Sequence, residues 1–254
     1  MTAPADGHAS HLTLRFGLPG GGRALFTTRA DGNLSTMRGP GHEHGWGERD
    51  RLCEQLGLRW LCASRQVHGA VVQRITAQEG SGGGAVAIDA DGHATALRGV
   101  GAMVLVADCL PVVLGTEGAV AALHAGWRGL AGGVLEEGVR ALRELGGEGD
   151  ITAVIGPGAG PCCYEVGAEV HAAFGDRSGA GAEVNAAPGD WSEVGRRPPG
   201  RNLDLPGLAR ERLAAAGVGR IEDVGMCTIC DERLFSHRRE GLGAGRQAGV
   251  AWLS

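Results

Sequence analysis

Residues 112–116 and 119–124, VVLGT and AVAALH, are two apolar runs of strand length separated only by Glu117-Gly118. Two β-prone runs joined by a short glycine-containing turn read as a hairpin. With Glu117-Gly118 as the turn, Thr116 faces Ala119 and His124 faces Pro111, which puts Cys109 two residues further along the same face. Diagonal neighbours of that kind lie about 7–8 Å apart, so two side chains can converge on one ion. A three-residue turn would shift the register by one, and Pro111, which cannot donate to a ladder, is a position where a bulge is accommodated.

The rest of the chain mixes strands and helices. Apolar or alternating runs predict strands over 11–17, 23–27, 60–64, 70–75, 102–107, 151–155, 221–225 and 249–253. After His124, the spacing of Leu130, Val134, Leu135, Val139, Leu142 and Leu145 predicts a helix that Gly146-Gly147 ends. Weaker helical patterns cover 48–56, 166–174 and 205–216. Without a regular βαβ repeat, this order favours an α+β layered domain over a doubly wound one. Glycine-rich stretches at 80–84 and 178–200 read as loops inside one domain spanning 1–254.

Composition removes several classes. The 24 basic residues are all arginine, are scattered, and leave a net charge of −5, which argues against a nucleic-acid polymer as partner. Asp108 interrupts the longest apolar stretch, so none reaches the roughly 18–20 residues of a membrane span. The N-terminus lacks the basic-then-apolar order of a secretory signal, and the seven cysteines, an odd number, fit reduced thiols. The expectation is a cytoplasmic protein, monomeric or homodimeric.

Cys109 and His124 need one more ligand to hold a metal, and His68 in QVHG, between a predicted strand and a glycine, is the best supplier. Two imidazoles and a thiolate suit zinc, and three protein ligands with a fourth position open is the catalytic pattern. The same set with a weak axial ligand makes a blue-copper site, so copper competes. The plain alternative is that Cys109 and His124 are ordinary core residues. Asp108 argues against it, since a carboxylate in an apolar run needs a partner and orienting a ligand imidazole is a common use for one. A predicted helix start at Gly126-Trp127-Arg128-Gly129 adds an anion-attracting end beside the metal.

Six segments carry a resemblance: FTTR (26–29), QVHG (66–69), ADCLPV (107–112), HAGWRG (124–129), IGPGAGPCCYEVG (155–167) and CTICDERLFSHRREG (227–241). In order, they resemble the motifs of the purine nucleoside phosphorylase family long labelled laccase-domain or multicopper polyphenol oxidase proteins. The resemblance implies a single-domain α/β/β/α layered sandwich with mixed sheets, and zinc at His68, Cys109 and His124. It implies phosphorolysis of adenosine, inosine and methylthioadenosine, with adenosine deamination as a second activity. The loop after FTTR is shorter here than the family's usual one, so substrate contacts from that loop are not carried over.

Phosphorolysis needs an anion held beneath the sugar's anomeric carbon, and paired guanidinium donors match phosphate. Arg29 and Arg128 are the first candidates and the Arg238-Arg239 pair the second, with Arg239 the more favoured; ordinary ion pairing is the alternative for each. Cys109, His124 and Asp108 are the candidate catalytic residues. For deamination, zinc would activate water, but the His-x-Glu and Pro-Cys-x-x-Cys signature of nucleoside deaminases is missing. Four-copper oxidase chemistry is not expected, because only His42-Glu43-His44 has His-x-His spacing. Weak phenol oxidation by copper at the trio is a lesser reading. A different class also fits: Cys109 with His124 as a thiolate–imidazole nucleophile in an amidase-type hydrolase acting on peptidoglycan precursors.

Four other features read as follows. Cys227-Thr-Ile-Cys230 with Cys162-Cys163 resembles a structural zinc set, but adjacent cysteines chelate one ion awkwardly, and this reading is set aside. Asp89-Ala-Asp91-Gly resembles the start of a calcium loop without its downstream glutamate, and reads as a turn. Tyr164 and Glu165 either line the substrate pocket or pack. His42, His44 and His93 read as solvated loop residues.

Overall fold

The computed structural model describes residues 14–76, 88–175 and 202–254. The predicted loops at 80–84 and 178–200, and the first residues of the predicted strand over 11–17, lie outside the described residues. The strands are β1 (Leu14–Gly17), β2 (Gly22–Phe26), β3 (Trp60–Cys62), β4 (Val72–Ile75), β5 (Gly92–Thr95), β6 (Val100–Val106), β7 (Leu110–Glu117), β8 (Ala119–Ala125), β9 (Glu148–Ile155), β10 (Arg220–Asp223) and β11 (Gln247–Leu253). The helices are α1 (Gly45–Leu56), α2 (Trp127–Ala131), α3 (Val134–Glu144), α4 (Ala168–Phe174), α5 (Leu205–Ala215) and α6 (His237–Glu240).

The predicted hairpin forms in the predicted register. β7 and β8 pair antiparallel with Thr116 opposite Ala119 and Pro111 opposite His124, and Gly118 turns the chain at φ 87°, a value that favours glycine. The hairpin sits inside a six-stranded mixed sheet, order β10-β9-β7-β8-β5-β4, stacked on a five-stranded one, order β1-β2-β11-β6-β3. Phe26, Ala24, Val104 and Ala251 of one sheet meet Val113, Val120, Ala122 and Val154 of the other. The alternate residues, Val112, Leu114, Ala121 and Leu123, face the other way against Val134, Leu135 and Leu142 of α3 and Leu208 of α5. On the far side, Leu52 of α1 packs with Leu25, Met103 and Val250. The result is the expected α+β sandwich in α/β/β/α layers.

Two expectations need correcting. The helix predicted to run unbroken from Leu130 to Leu145 divides into α2 and α3 at Gly132-Gly133, where Gly133 sits at φ 90°. Strand β5, Gly-His-Ala-Thr, was not predicted, because four small or polar residues carry no apolar alternation. It becomes a strand between β4 and β8 because its neighbours satisfy both edges. His93, read as solvated, is therefore fully buried, with its ring nitrogens on Met103 O at 3.0 Å and Ser64 Oγ at 2.9 Å.

Phe26 is 1% exposed and lies between the sheets, edge-on to Phe16 at 5.9 Å. Phe26→Ala should cost about 3–5 kcal/mol in denaturant unfolding, the range for emptying a large aromatic site. A loss under about 1 kcal/mol would mean that the inter-sheet layer is not the core described.

Candidate metal centre

Residue parity decides where His124 points. Val120 and Ala122 of β8 face the second sheet, and His124 follows them on that side at the end of the strand. Cys109 arrives just before β7 on the paired chain. His68 comes from the loop between β3 and β4, where Gln66 anchors the chain by donating to Leu105 O (2.7 Å) and accepting from Leu105 N (2.8 Å). The ligand atoms of His68, Cys109 and His124 all lie within 4.8 Å of one another. The two imidazoles are tilted by 68° with centroids 4.8 Å apart.

The backbone is strained on both sides of this trio. His68 (φ 61°) and Asp108 (φ 96°) have positive φ, and among the described residues no other non-glycine does. Each is held by a carboxylate. Asp91, fully buried, accepts from the backbone N–H groups of His68 (2.9 Å), Gly69 (2.7 Å) and Val67 (3.2 Å) and from His124 Nδ1 (2.7 Å). Asp108 accepts from Thr228 Oγ1 (2.7 Å) and from the backbone N–H of Arg238 (2.7 Å).

The imidazole-orienting carboxylate is thus Asp91, and the task expected of Asp108 is performed from another strand end. Asp108 instead ties the Cys109 segment to the start of α6. In the sequence Asp91 reads as a turn residue, because nothing local to Asp89-Ala-Asp91-Gly shows that β5 lies beside β8.

Electrostatics follow from this packing. Burial by itself would push the Cys109 thiol up, but the charge and hydrogen bond of His124, then those of His68, outweigh it and bring the thiol down to about 6. Burial lowers His124, yet the Cys109 thiolate and the Asp91 carboxylate overcome that and raise it to about 9. Asp91 itself is held below its ordinary value: its bonds to His124 and the loop N–H groups win over burial. Without a metal, these shifts favour a thiolate beside an imidazolium between about pH 6 and about pH 9.

The donor set fits a single borderline-soft ion. Zinc bonds of about 2.0–2.1 Å to nitrogen and 2.3 Å to sulfur place donors closer than 4 Å apart, a spacing that small side-chain rotations reach from the one observed. Gly126 leaves the room, since a Cβ there would lie 2.9 Å from Cys109 Sγ and 3.0 Å from His68 Cδ2. His124 is 4% exposed, Cys109 half-buried and His68 exposed, so the trio opens on one side.

The expected arginines divide. Arg29 donates to Glu232 O, Leu234 O and Glu240 Oε1, and Arg239 to the carbonyls of Thr228, Ile229, Asp231 and Leu234 as well as to Glu240. Both guanidiniums are tied to backbone carbonyls and to Glu240, Arg239 partly buried and Arg29 still exposed. Arg128 is exposed, with its guanidinium 4.2 Å from the centroid of the Trp127 ring. The α2 helix behind it has only five residues, which makes the guanidinium the anion-attracting feature there. Tyr164 is buried within electrostatic reach of Cys109, Arg238, Asp108 and Arg128; burial and the thiolate push it up to about 12, so it keeps its proton. His42 and His44 are exposed, as expected.

Two measurements check this geometry. In chelator-treated protein, alkylation of Cys109 followed by peptide mass spectrometry should rise through a midpoint near pH 6, and in His124→Ala that midpoint should move up toward or past 9.0; equal midpoints would show that His124 does not set the thiol. Asp91→Asn should weaken metal binding about 10–100-fold in competition with a chromophoric chelator, and unchanged affinity would remove Asp91 from the site.

Comparison with known proteins places the chain. The sequence model of the family described as "Multi-copper polyphenol oxidoreductase laccase" matches residues 23–254. A protein of Xylella fastidiosa named purine nucleoside phosphorylase is 41% identical over 98% of this chain and 94% of its own. Purine nucleoside phosphorylase PA4543 of Pseudomonas aeruginosa is 38% identical over 81% and 78%. Among solved structures, Neisseria meningitidis NMB0706 superposes with a TM-score of 0.75 at 31% identity, covering 96% of this chain and 98% of that one. YlmD of Geobacillus stearothermophilus gives 0.76 at 32%, covering 92% of each. The chain therefore belongs to the multi-copper polyphenol oxidoreductase laccase family, and relatives similar to it over most of their length are named purine nucleoside phosphorylase.

Proposed function

We propose that the chain is a zinc-dependent purine nucleoside phosphorylase, which splits adenosine, inosine and methylthioadenosine with inorganic phosphate into a free base and a pentose 1-phosphate. Adenosine deamination is proposed as a second activity of the same site. The observation that carries the reading is the open side of the His68, Cys109 and His124 trio, with the exposed Arg128 four residues beyond His124. The names of the relatives support the substrate class.

His68, Cys109 and His124 would hold the zinc, which when bound supplies a Lewis acid. The chain's own groups do the rest. Asp91 accepts the His124 Nδ1 proton and leaves Nε2 free as a ligand. Arg128 binds phosphate, steadied on the Trp127 ring. Tyr164 retains a proton to donate to a bound reactant. Arg29 and Arg239 serve by holding the segment around Leu234. None of the seven cysteines is joined in a disulfide, and no described helix is long and apolar enough to cross a membrane; a reducing compartment such as the cytoplasm suits the thiolate ligand.

Two other chemistries share the trio. Copper fits the same donors, and weak phenol oxidation would follow. Among the described residues, however, the two groups able to gather three or more ligands are this trio and a set of four cysteines, so no further histidine cluster stands ready for a trinuclear centre. Protein from copper-grown cells should carry no more than about one copper per chain at the trio. Cys109, His124 and Asp91 also line up as a nucleophile, base and orienting carboxylate, which favours an amidase-type hydrolase as the second reading. His68 weighs against it, because a second imidazole bonded to the sulfur serves a metal and would hinder a nucleophile.

Phosphate-dependent release of hypoxanthine from inosine is the test. Cys109→Ala and chelation should both abolish it, whereas a metal-free hydrolase would survive chelation. Arg128→Gln should raise the KM for phosphate about 10–100-fold, the worth of a charge-assisted bond; a wild-type KM would exclude Arg128.

A further inference from the structure

Four cysteines that the proposed reaction does not use come together elsewhere. The sulfurs of Cys162, Cys163, Cys227 and Cys230 all lie within 4.8 Å of one another. Cys230 Sγ is 3.0 Å from Cys163 Sγ and 3.5 Å from Cys162 Sγ. Four thiolates around zinc at about 2.3 Å form a tetrahedron with edges of about 3.8 Å; the 3.0 and 3.5 Å spacings fall below that and no pair exceeds 4.8 Å, so small side-chain rotations reach it. A cluster of several irons would hold its cysteines farther apart than one ion does.

The local chain explains how adjacent cysteines reach one point. In a strand, Cys162 and Cys163 would face opposite ways. Here they lie in a tight turn, with the N–H groups of Cys163 and Tyr164 both donating to Gly160 O at 3.1 and 3.0 Å. Asn202 Nδ2 adds a bond to Pro161 O (2.8 Å). The facing turn, Cys227-Thr-Ile-Cys230, is closed by Asp231 N–H on Cys227 O (3.0 Å). A ladder fixes the two turns side by side: Gly158 N–H donates to Met226 O (3.2 Å) and Thr228 N–H to Gly158 O (2.9 Å).

The sulfur of Cys227 sits in a cradle of backbone donors. The Gly160 N–H reaches it at 3.3 Å, and the N–H groups of Ile229 and Cys230 also point to it. A neutral thiol is a weak acceptor, so three donors aimed at one buried sulfur are the surroundings of a metal-bound thiolate. Zinc with four thiolates carries a net charge of minus two. Arg239 brings its guanidinium to the carbonyls of Thr228 (2.7 Å), Ile229 (3.1 Å) and Asp231 (3.2 Å), against the turn that would bear that charge.

We propose that Cys162, Cys163, Cys227 and Cys230 form a second, structural zinc site that locks the turn after β9 to the turn before α6. Thr228 lies between two of its ligands and donates to Asp108, the neighbour of Cys109. The second ion thereby steadies one ligand of the first. The proposal stands apart from the phosphorolysis reading, since its readouts are metal content and coordination.

The test uses the full chain purified under reducing conditions. His68→Ala/Cys109→Ala, which removes the first centre, should retain about one zinc per chain, and X-ray absorption should show a shell of sulfur alone at about 2.3 Å. Adding Cys227→Ser/Cys230→Ser should remove that zinc; with the first centre intact, the same pair should weaken zinc binding there. A zinc-free His68→Ala/Cys109→Ala protein, a first shell containing nitrogen or oxygen, iron in place of zinc, or a Cys163–Cys230 cross-linked peptide would each overturn the proposal.

Discussion

One buried carboxylate organises the candidate site. Asp91 takes three backbone N–H groups from the His68 loop and the Nδ1 proton of His124, so a single side chain sets the position of two ligands from different parts of the chain. An uncompensated charge at that depth would be prohibitive, and four donors are what make it tolerable. The His68 backbone, strained at φ 61°, keeps its conformation because its own N–H and that of Gly69 are paid for in bonds to Asp91.

Asp108 repeats the device on the other side. Its backbone is also left-handed, and its carboxylate is gripped by Thr228 and the Arg238 N–H, which couples Cys109 to the C-terminal third of the chain. The result is a trio whose buried member, His124, belongs to the rigid sheet, while its exposed member, His68, belongs to a loop tied down at both ends. That gradient from core to surface suits a site that must hold an ion firmly and still admit a reactant. The proposed four-cysteine zinc site extends the same chain of contacts, through Thr228, to the far side of Asp108.

Much of this was legible before any coordinates. The β7–β8 register followed from Thr116-Glu117-Gly118 and the lengths of the two apolar runs, because side-chain parity leaves a doubly buried strand little freedom to slip. Asp91 was not legible: its partners are 22 to 33 residues away, and β5 has no hydrophobic signature. The arginines were ranked by chemistry alone, yet Arg29 and Arg239 proved committed to carbonyls and to Glu240, which no spacing rule foretells. Adjacent cysteines read as awkward ligands for one ion, and the turn closed on Gly160 O, which no local pattern announces, brings both sulfurs to the same side.

The sequence by itself determined the layered α+β class, the hairpin and the three donor types, since each depends on local periodicity, turn chemistry and ligand softness. Only the tertiary structure decided which carboxylate bonds to His124, that Arg29 and Arg239 bond to carbonyls and to Glu240, and that four sulfurs share one volume. Those outcomes are contacts between segments distant along the chain, and burial, which makes each of them obligatory, exists only once the layers have closed.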